Sequence, residues 1–263
     1  MGRYFIHLAY NGANYNGWQT QPNLPTVQEA LEKALSTLLR QPVVVVGCGR
    51  TDTGVHASDF YAHFDVQESK SLRVEESKSN EDSLSCDLLD SLTFKLNNLL
   101  PPDIAIFDIF PVADNAHARF DATARTYQYH VSDRRLPFRQ GQYCRIYFRP
   151  DIALMNEAAR VLMEYDDFTS FAKLHTQVKT NICHITRAEW AEEEGGWVFT
   201  IRSNRFLRNM VRSVTGTLLD VGRGKLTIDG LREIIEKKDR CAAGVSMPAC
   251  GLFLTKVEYP WQG

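Results

Sequence analysis

Segments with strand periodicity and segments with helix periodicity alternate along this chain in one order, β-α-β-β-α-β, and that order then recurs without any repeat of the sequence itself. Residues 3–10 alternate, with Tyr4, Ile6, Leu8 and Tyr10 on one face. A helix opens at Thr26, where Thr26 and Glu29 have capping-box spacing, and Val27, Ala30, Leu31, Ala34, Leu35 and Leu38 form one apolar stripe up to Pro42. Residues 43–46 are a β-branched run and read as a buried strand, and residues 60–66 alternate again. Helical spacing returns with Leu88, Leu92, Leu96 and Leu99, ends at Pro101-Pro102, and gives way to a strand over 104–110.

The second pass begins with a strand over 125–131, in which Tyr127, Tyr129 and Val131 share a face. Asp151 is placed to cap a helix carrying Met155, Ala158, Ala159, Leu162 and Met163. A hairpin over 182–203 turns at Gly195-Gly196, and helices are expected from about Arg205 to Asp220 and over 229–237, before a last strand at 252–259. The pattern is α+β: two ferredoxin-like halves, 1–111 and 112–263, expected to form a shared, mostly antiparallel sheet with a central cleft.

The charge is −2 overall but unevenly placed. Residues 67–91 hold seven acids against three bases, which leaves +2 for the rest, and the serine-rich part at 67–85 reads as a mobile acidic insertion. Residues 119–149 hold seven arginines against Asp121 and Asp133, interleaved with Phe120, Tyr127, Tyr129, Phe138, Tyr143, Tyr147 and Phe148. That composition suits a surface that grips phosphates and stacks bases, and suits equally a solvated loop beside core aromatics. No apolar run reaches the roughly 20 residues needed to cross a bilayer, and the N-terminus lacks a signal-peptide pattern, so a cytoplasmic protein is expected. The six cysteines never form a CxxC pair, and His56 and His63 lack the partners of a zinc site, so reduced thiols and no metal are expected.

Gly49-Arg50-Thr51-Asp52-Thr53-Gly54-Val55-His56-Ala57 follows the β-branched run directly. On an extended backbone Arg50 and Asp52 point the same way, and a guanidinium within a few ångströms would hold Asp52 ionised and oriented for nucleophilic attack. On spacing alone, an Asx turn with Arg50 as counter-ion explains the pair as well. Asp52-Thr53-Gly54 also spells the DTG of aspartic proteases, but those enzymes need two carboxylates sharing a proton. Here there is one copy, its neighbour Arg50 favours full ionisation, and the helices conflict with an all-β protease.

GRTDTGVHA resembles the signature of the tRNA pseudouridine synthase A (TruA) family, with Thr53 where alanine is common. Tyr10, Gly12, Tyr15, Gly17 and Trp18 resemble that family's opening motif, with Asn11 for an aspartate. Asn97, Leu100, Pro101, Asp103 and Ile104 follow, then His117-Ala118-Arg119-Phe120 and Ala122-Thr123-Ala124-Arg125-x-Tyr127. Residues 167–171, Phe206, Met210-Val211-Arg212 and Gly251-Leu252-Phe253-Leu254 complete the order, with Cys250 where a glutamate is frequent.

The resemblance implies the pseudouridine synthase fold and a cofactor-free isomerase that turns uridine into pseudouridine in the anticodon stem-loop of tRNA, at about positions 38 to 40. It makes Asp52 the nucleophile, oriented and kept ionised by Arg50. Arg212 would pair with that carboxylate or a nearby phosphate, and Tyr127 would stack on the base or move a proton, although core packing beside Tyr129 also explains a tyrosine there. Arg205, Arg208, His56 and Leu252 are implied in substrate binding. Arg205, Arg208 and Arg212, at i, i+3 and i+7, would share one helix face, the first two in the opening turn where a phosphate offsets the macrodipole. A homodimer is implied as well. The alternative from another class is a non-catalytic RNA-binding protein built on two ferredoxin-like halves, although the aromatic RNP1 pattern is missing.

Overall fold

The computed structural model describes residues 2–67, 86–173 and 180–261, so all but the first residue of the acidic insertion expected at 67–85 lies outside the described residues. The chain is α+β and divides into two compact units, Met1–Ala122 with Tyr259–Gly263, and Thr123–Glu258.

The first unit runs β1 (Gly2–Tyr10), α1 (Val27–Leu39), β2 (Val45–Gly47), β3 (His56–Val66), α2 (Cys86–Leu99) and β4 (Ile104–Val112). Its strands lie in the order β4-β1-β3-β2, every pair antiparallel. The register sets Tyr4 opposite Phe64, Ile6 opposite Ala62 and Leu8 opposite Phe60, and all six are buried with Leu31, Leu35, Leu92 and Leu96. The Thr26 hydroxyl caps α1 by accepting from Glu29 N–H at 3.3 Å. Arg40, with φ 53°, stops α1 two residues before Pro42.

The run 43–46 is not the fully buried strand expected: the strand is Val45–Gly47, and Val44 is exposed. Among the described residues β2 pairs with β3 alone, so one side of its backbone needs other partners. Side chains of α1 supply them, Val45 N–H donating to Glu32 Oε1 (2.9 Å) and Gln28 Nε2 to the Val45 carbonyl (3.0 Å). Asn97 of α2 does the same for β4, exchanging two 2.8 Å bonds with the backbone of Ile106.

On the opposite face of β1 and β3, Phe5 and Tyr61 pack against Tyr259 and Trp261, which stack on each other at 4.9 Å. The segment after β4 is tied to the same unit: Ala118 N–H donates to His63 Nδ1 (3.1 Å), and the Tyr259 hydroxyl donates to the Ala118 carbonyl (2.6 Å).

The second unit runs β5 (Ala124–Ser132), β6 (Cys144–Arg145), α3 (Ile152–Val161), β7 (Ile185–Glu193), β8 (Gly196–Ser203), α4 (Met210–Gly222), α5 (Ile228–Lys237) and β9 (Leu252–Glu258). The order is β9-β5-β8-β7, antiparallel throughout, with the short β6 parallel to the end of β5. Asp151 caps α3 by accepting from Leu154 N–H at 3.0 Å. Asn156 of α3 exchanges two bonds with the backbone of Trp190 in β7, as Asn97 does for β4. Helix α4 is the buried centre of this unit; a Cβ on its Gly216 would meet the Val245 carbonyl oxygen at 2.0 Å.

The helix expected from Arg205 begins instead at Met210. Asn209 adopts φ 67°, a left-handed conformation that blocks helical propagation in the N-terminal direction. Arg205 and Arg208 therefore lie on the connecting segment, outside the first turn, and do not share a helix face with Arg212.

Candidate active site

Asp52 sits on the loop between β2 and β3, and the motif residues of the first unit converge on the backbone of that loop. Thr51 points inward, where its hydroxyl lies 2.9 Å from the buried Tyr10 hydroxyl. The flanking Arg50 is exposed and Asp52 half-buried, the period-two alternation that an extended backbone produces. The chain then turns, with Gly54 at φ 77° and Val55 N–H bonded to the Asp52 carbonyl (3.1 Å).

The opening segment 11–18 holds this loop from the other side. Trp18 N–H donates to the Thr51 carbonyl (3.3 Å) and Gly54 N–H to the Tyr15 carbonyl (3.2 Å). Two glycines permit the approach. A Cβ on Gly12 would lie 2.0 Å from the Val55 oxygen, and one on Gly17, itself at φ 87°, would lie 2.3 Å from the Thr51 oxygen. Trp18 stacks on Phe60 at 4.2 Å.

Asp103 anchors the opening segment. Its carboxylate accepts from the Tyr15 hydroxyl (2.6 Å) and Asn14 Nδ2 (3.0 Å), and its carbonyl accepts from Asn11 N–H (2.8 Å). Burial, together with the bond to Asp103, raises the Tyr15 pKa, so the phenol stays protonated. Asp103 belongs to the motif at 97–104, and its position directly after Pro101-Pro102, where a helix must end, is the local signal of its anchoring task.

His56 is 1 % exposed, and its Nδ1 accepts from Gly12 N–H at 3.1 Å, which puts any ring proton on Nε2. Its geometry is that of a residue holding the opening segment. Among the described residues no ion pair joins Arg50 to Asp52, and no group of three or more His, Cys, Asp or Glu is arranged to hold a metal.

In the second unit Tyr127 and Tyr129 separate in environment. Tyr129 is fully buried and donates to the Pro248 carbonyl (2.6 Å), so it is core. Tyr127 is half-buried, beside a register shift against β9, with its ring edge-on to Phe206 at 5.1 Å. Arg212, in the first turn of α4, donates from Nε to the Met247 carbonyl (2.6 Å), and Met247 N–H returns a bond to the Arg212 carbonyl (3.1 Å). These bonds fix the direction of the guanidinium. Arg208 is exposed and Arg205 half-buried, while Leu252, at the start of β9 opposite Tyr129, is 6 % exposed. No helix among the described residues is long and apolar enough to cross a membrane.

Residues 158–260 match the family described as tRNA pseudouridine synthase. Over the whole length the chain is 57 % identical to the tRNA pseudouridine synthase A of Bacteroides thetaiotaomicron, covering 99 % of this chain and 91 % of that one. It is 55 % identical to that of Parabacteroides distasonis, over 99 % of this chain and 97 % of its relative. At 37 % identity the same description attaches to a protein of Colwellia psychrerythraea, with 98 % and 94 % covered.

Proposed function

Because the chain belongs to the tRNA pseudouridine synthase A family, we propose that it is the enzyme that isomerises uridine to pseudouridine in the anticodon stem-loop of tRNA, at about positions 38 to 40, with Asp52 as its nucleophile. The observation that carries the chemical part is the pinned loop: Tyr10 meets the Thr51 hydroxyl, Gly17 and Trp18 meet the Thr51 carbonyl, and Val55 N–H bonds the Asp52 carbonyl, with Asp52 itself half-buried. A reacting group held in this way avoids the entropic cost of being positioned during the reaction.

Isomerisation breaks the bond from uracil N1 to ribose C1′ and makes one from C5 to C1′. The proton that leaves C5 is balanced by one taken up at N1. Nothing is oxidised or reduced, so a carboxylate can form and release the transient bond without an electron carrier. Arg50, exposed two residues away, is the cation that orients that carboxylate once RNA is bound. Tyr127 meets the base with its ring or hydroxyl, and Arg212 binds a phosphate. Arg205 and Arg208 contribute phosphate contacts from the segment before α4, which offset the few kcal/mol needed to unstack the base. Leu252 offers the base an apolar contact, and His56 acts through Gly12 as a positioning residue. We also read both units as ferredoxin-like halves of the pseudouridine synthase fold, and the working enzyme as a homodimer.

The test is loss of the hydrogen from C5. Purified protein incubated with tRNA carrying tritium at uridine C5 releases tritium to water, and the Asp52→Asn variant does not. Binding of tRNA with no release from the wild type would favour a non-catalytic RNA-binding protein instead.

A further inference from the structure

Residues 133–149 carry five arginines against one acid, Asp133, and take no part in the chemistry above. The segment is a built loop. Leu136 N–H donates to the Tyr143 hydroxyl (2.8 Å), Arg139 N–H to the Leu136 carbonyl (3.1 Å), and Ile146 N–H to the Ser132 carbonyl (2.8 Å). Leu136 packs where a Cβ on Gly195 would be only 2.7 Å from its Cδ2, and Cys144 and Ile146 are buried. One arginine is used internally: Arg139 bonds Glu193 (3.2 Å) and His130 (3.1 Å).

The other four, Arg134, Arg135, Arg145 and Arg149, are exposed and form no ion pair among the described residues. Two aromatics stand out with them, Phe138 wholly exposed and Tyr147 83 % exposed. The Arg145 guanidinium lies over the Tyr147 ring at 4.9 Å. Arg145 and Tyr147 flank the buried Ile146, and Arg149 is exposed beyond them. Asp133, Glu192 and Glu193 line a groove with Arg134 and Arg149 and offset those two charges, whereas Arg135 and Arg145 do not line it.

We infer that this segment is a second RNA-binding surface, which takes backbone phosphates on Arg135 and Arg145 and stacks an unpaired base on Tyr147 or Phe138. Exposing two large aromatics on an anchored loop costs apolar hydration, and a nucleobase face recovers it. An acidic protein partner would satisfy the arginines and leave the aromatic rings in water. The inference rests on the reading that RNA is the substrate, and deepens it by naming where RNA is held outside the chemical step.

The experiment uses the full chain and unmodified tRNA. In Arg135→Gln/Arg145→Gln, removal of two phosphate contacts lowers the slope of log affinity against log salt by about 2, and the excess in Kd over wild type shrinks about tenfold between roughly 50 and 200 mM salt. KM rises while kcat at saturating tRNA is kept, because the contacts bind substrate and transition state alike. The Lys/Lys double variant keeps the slope. The indole fluorescence gained in Tyr147→Trp is quenched by tRNA and unchanged by inorganic phosphate. An unaltered slope together with no quenching in Tyr147→Trp overturns the inference, as does a changed oligomeric state with unaltered tRNA affinity, which would mark a protein interface. Wild-type tritium release is scored separately, so failure of this surface and failure of the enzymatic reading are distinguishable.

Discussion

Gly17 approaches Thr51 so closely that a methyl group on its α-carbon would sit 2.3 Å from the Thr51 carbonyl oxygen. The contact is backbone against backbone, next to the Asp52 peptide, and Gly17 also has φ 87°. Gly17→Ala must therefore displace the Asp52 loop or strain both segments. A loss in kcat of about 100-fold is expected, since a shift near 1 Å costs that much. The control is Gly224→Ala, where φ is 72° but nothing lies within 4 Å. Its cost is about 1–2 kcal/mol in urea unfolding with unchanged kcat. Equal turnover in the two variants would dissociate the opening segment from catalysis.

Tyr15 donates to Asp103 across 88 residues of sequence. Tyr15→Phe leaves a carboxylate oxygen without its donor and is expected to lower stability by about 1–2 kcal/mol, measured by urea denaturation. Turnover falls several-fold through the loosened segment 11–18, while tRNA affinity stays within twofold. Undiminished stability would show that Asp103 is satisfied elsewhere.

His63 has a pKa lowered to about 4, by burial first and then by the nearby Arg3 and His117 charges, partly opposed by Asp65 and Asp121. It stays neutral in the fold and accepts from Ala118 N–H. The unfolded chain binds a proton at His63 near pH 6.5, so this contribution is complete above pH 6.5 and is lost as pH falls toward 4. Unfolding free energy should fall by about 1.4 kcal/mol per pH unit over that window, relative to a His63→Gln variant. Parallel pH profiles for the two proteins would refute the assignment.

Tyr127 separates two roles by its variants. Tyr127→Phe keeps the edge-on contact with Phe206 and removes only the hydroxyl. If the ring supplies stacking alone, Phe retains most of kcat and Tyr127→Leu loses it. Proton transfer through the hydroxyl would make Phe about 100-fold or more slower. Single-turnover kinetics reads either result.

Much of this was legible locally. The Thr26 and Asp151 caps, the apolar stripe of α1 and the inward alternation of Tyr4, Ile6, Leu8 and Tyr10 are short-range patterns, and they mark elements where expected. Val44 departs from the buried run because burial of β-branched residues depends on neighbours, and here α1 side chains take the place of a strand. The early start expected for α4 failed at one residue: periodicity carries no sign of the left-handed Asn209. At the candidate site, Arg-x-Asp was visible as a pair, but the anchors at Gly17 and Asp103 lie 35 and 51 residues from Asp52 and follow from tertiary approach alone.

The Asp52 carboxylate is proposed to perform the chemistry and not merely to belong to an RNA-binding loop. Pseudouridines are mapped in tRNA treated with wild-type protein and with Asp52→Asn, alongside the tRNA Kd of each. Pseudouridine is expected at about positions 38 to 40 with the wild type, none with Asp52→Asn, and dissociation constants within a few-fold of each other. Pseudouridine formed by the purified variant would contradict that role for Asp52.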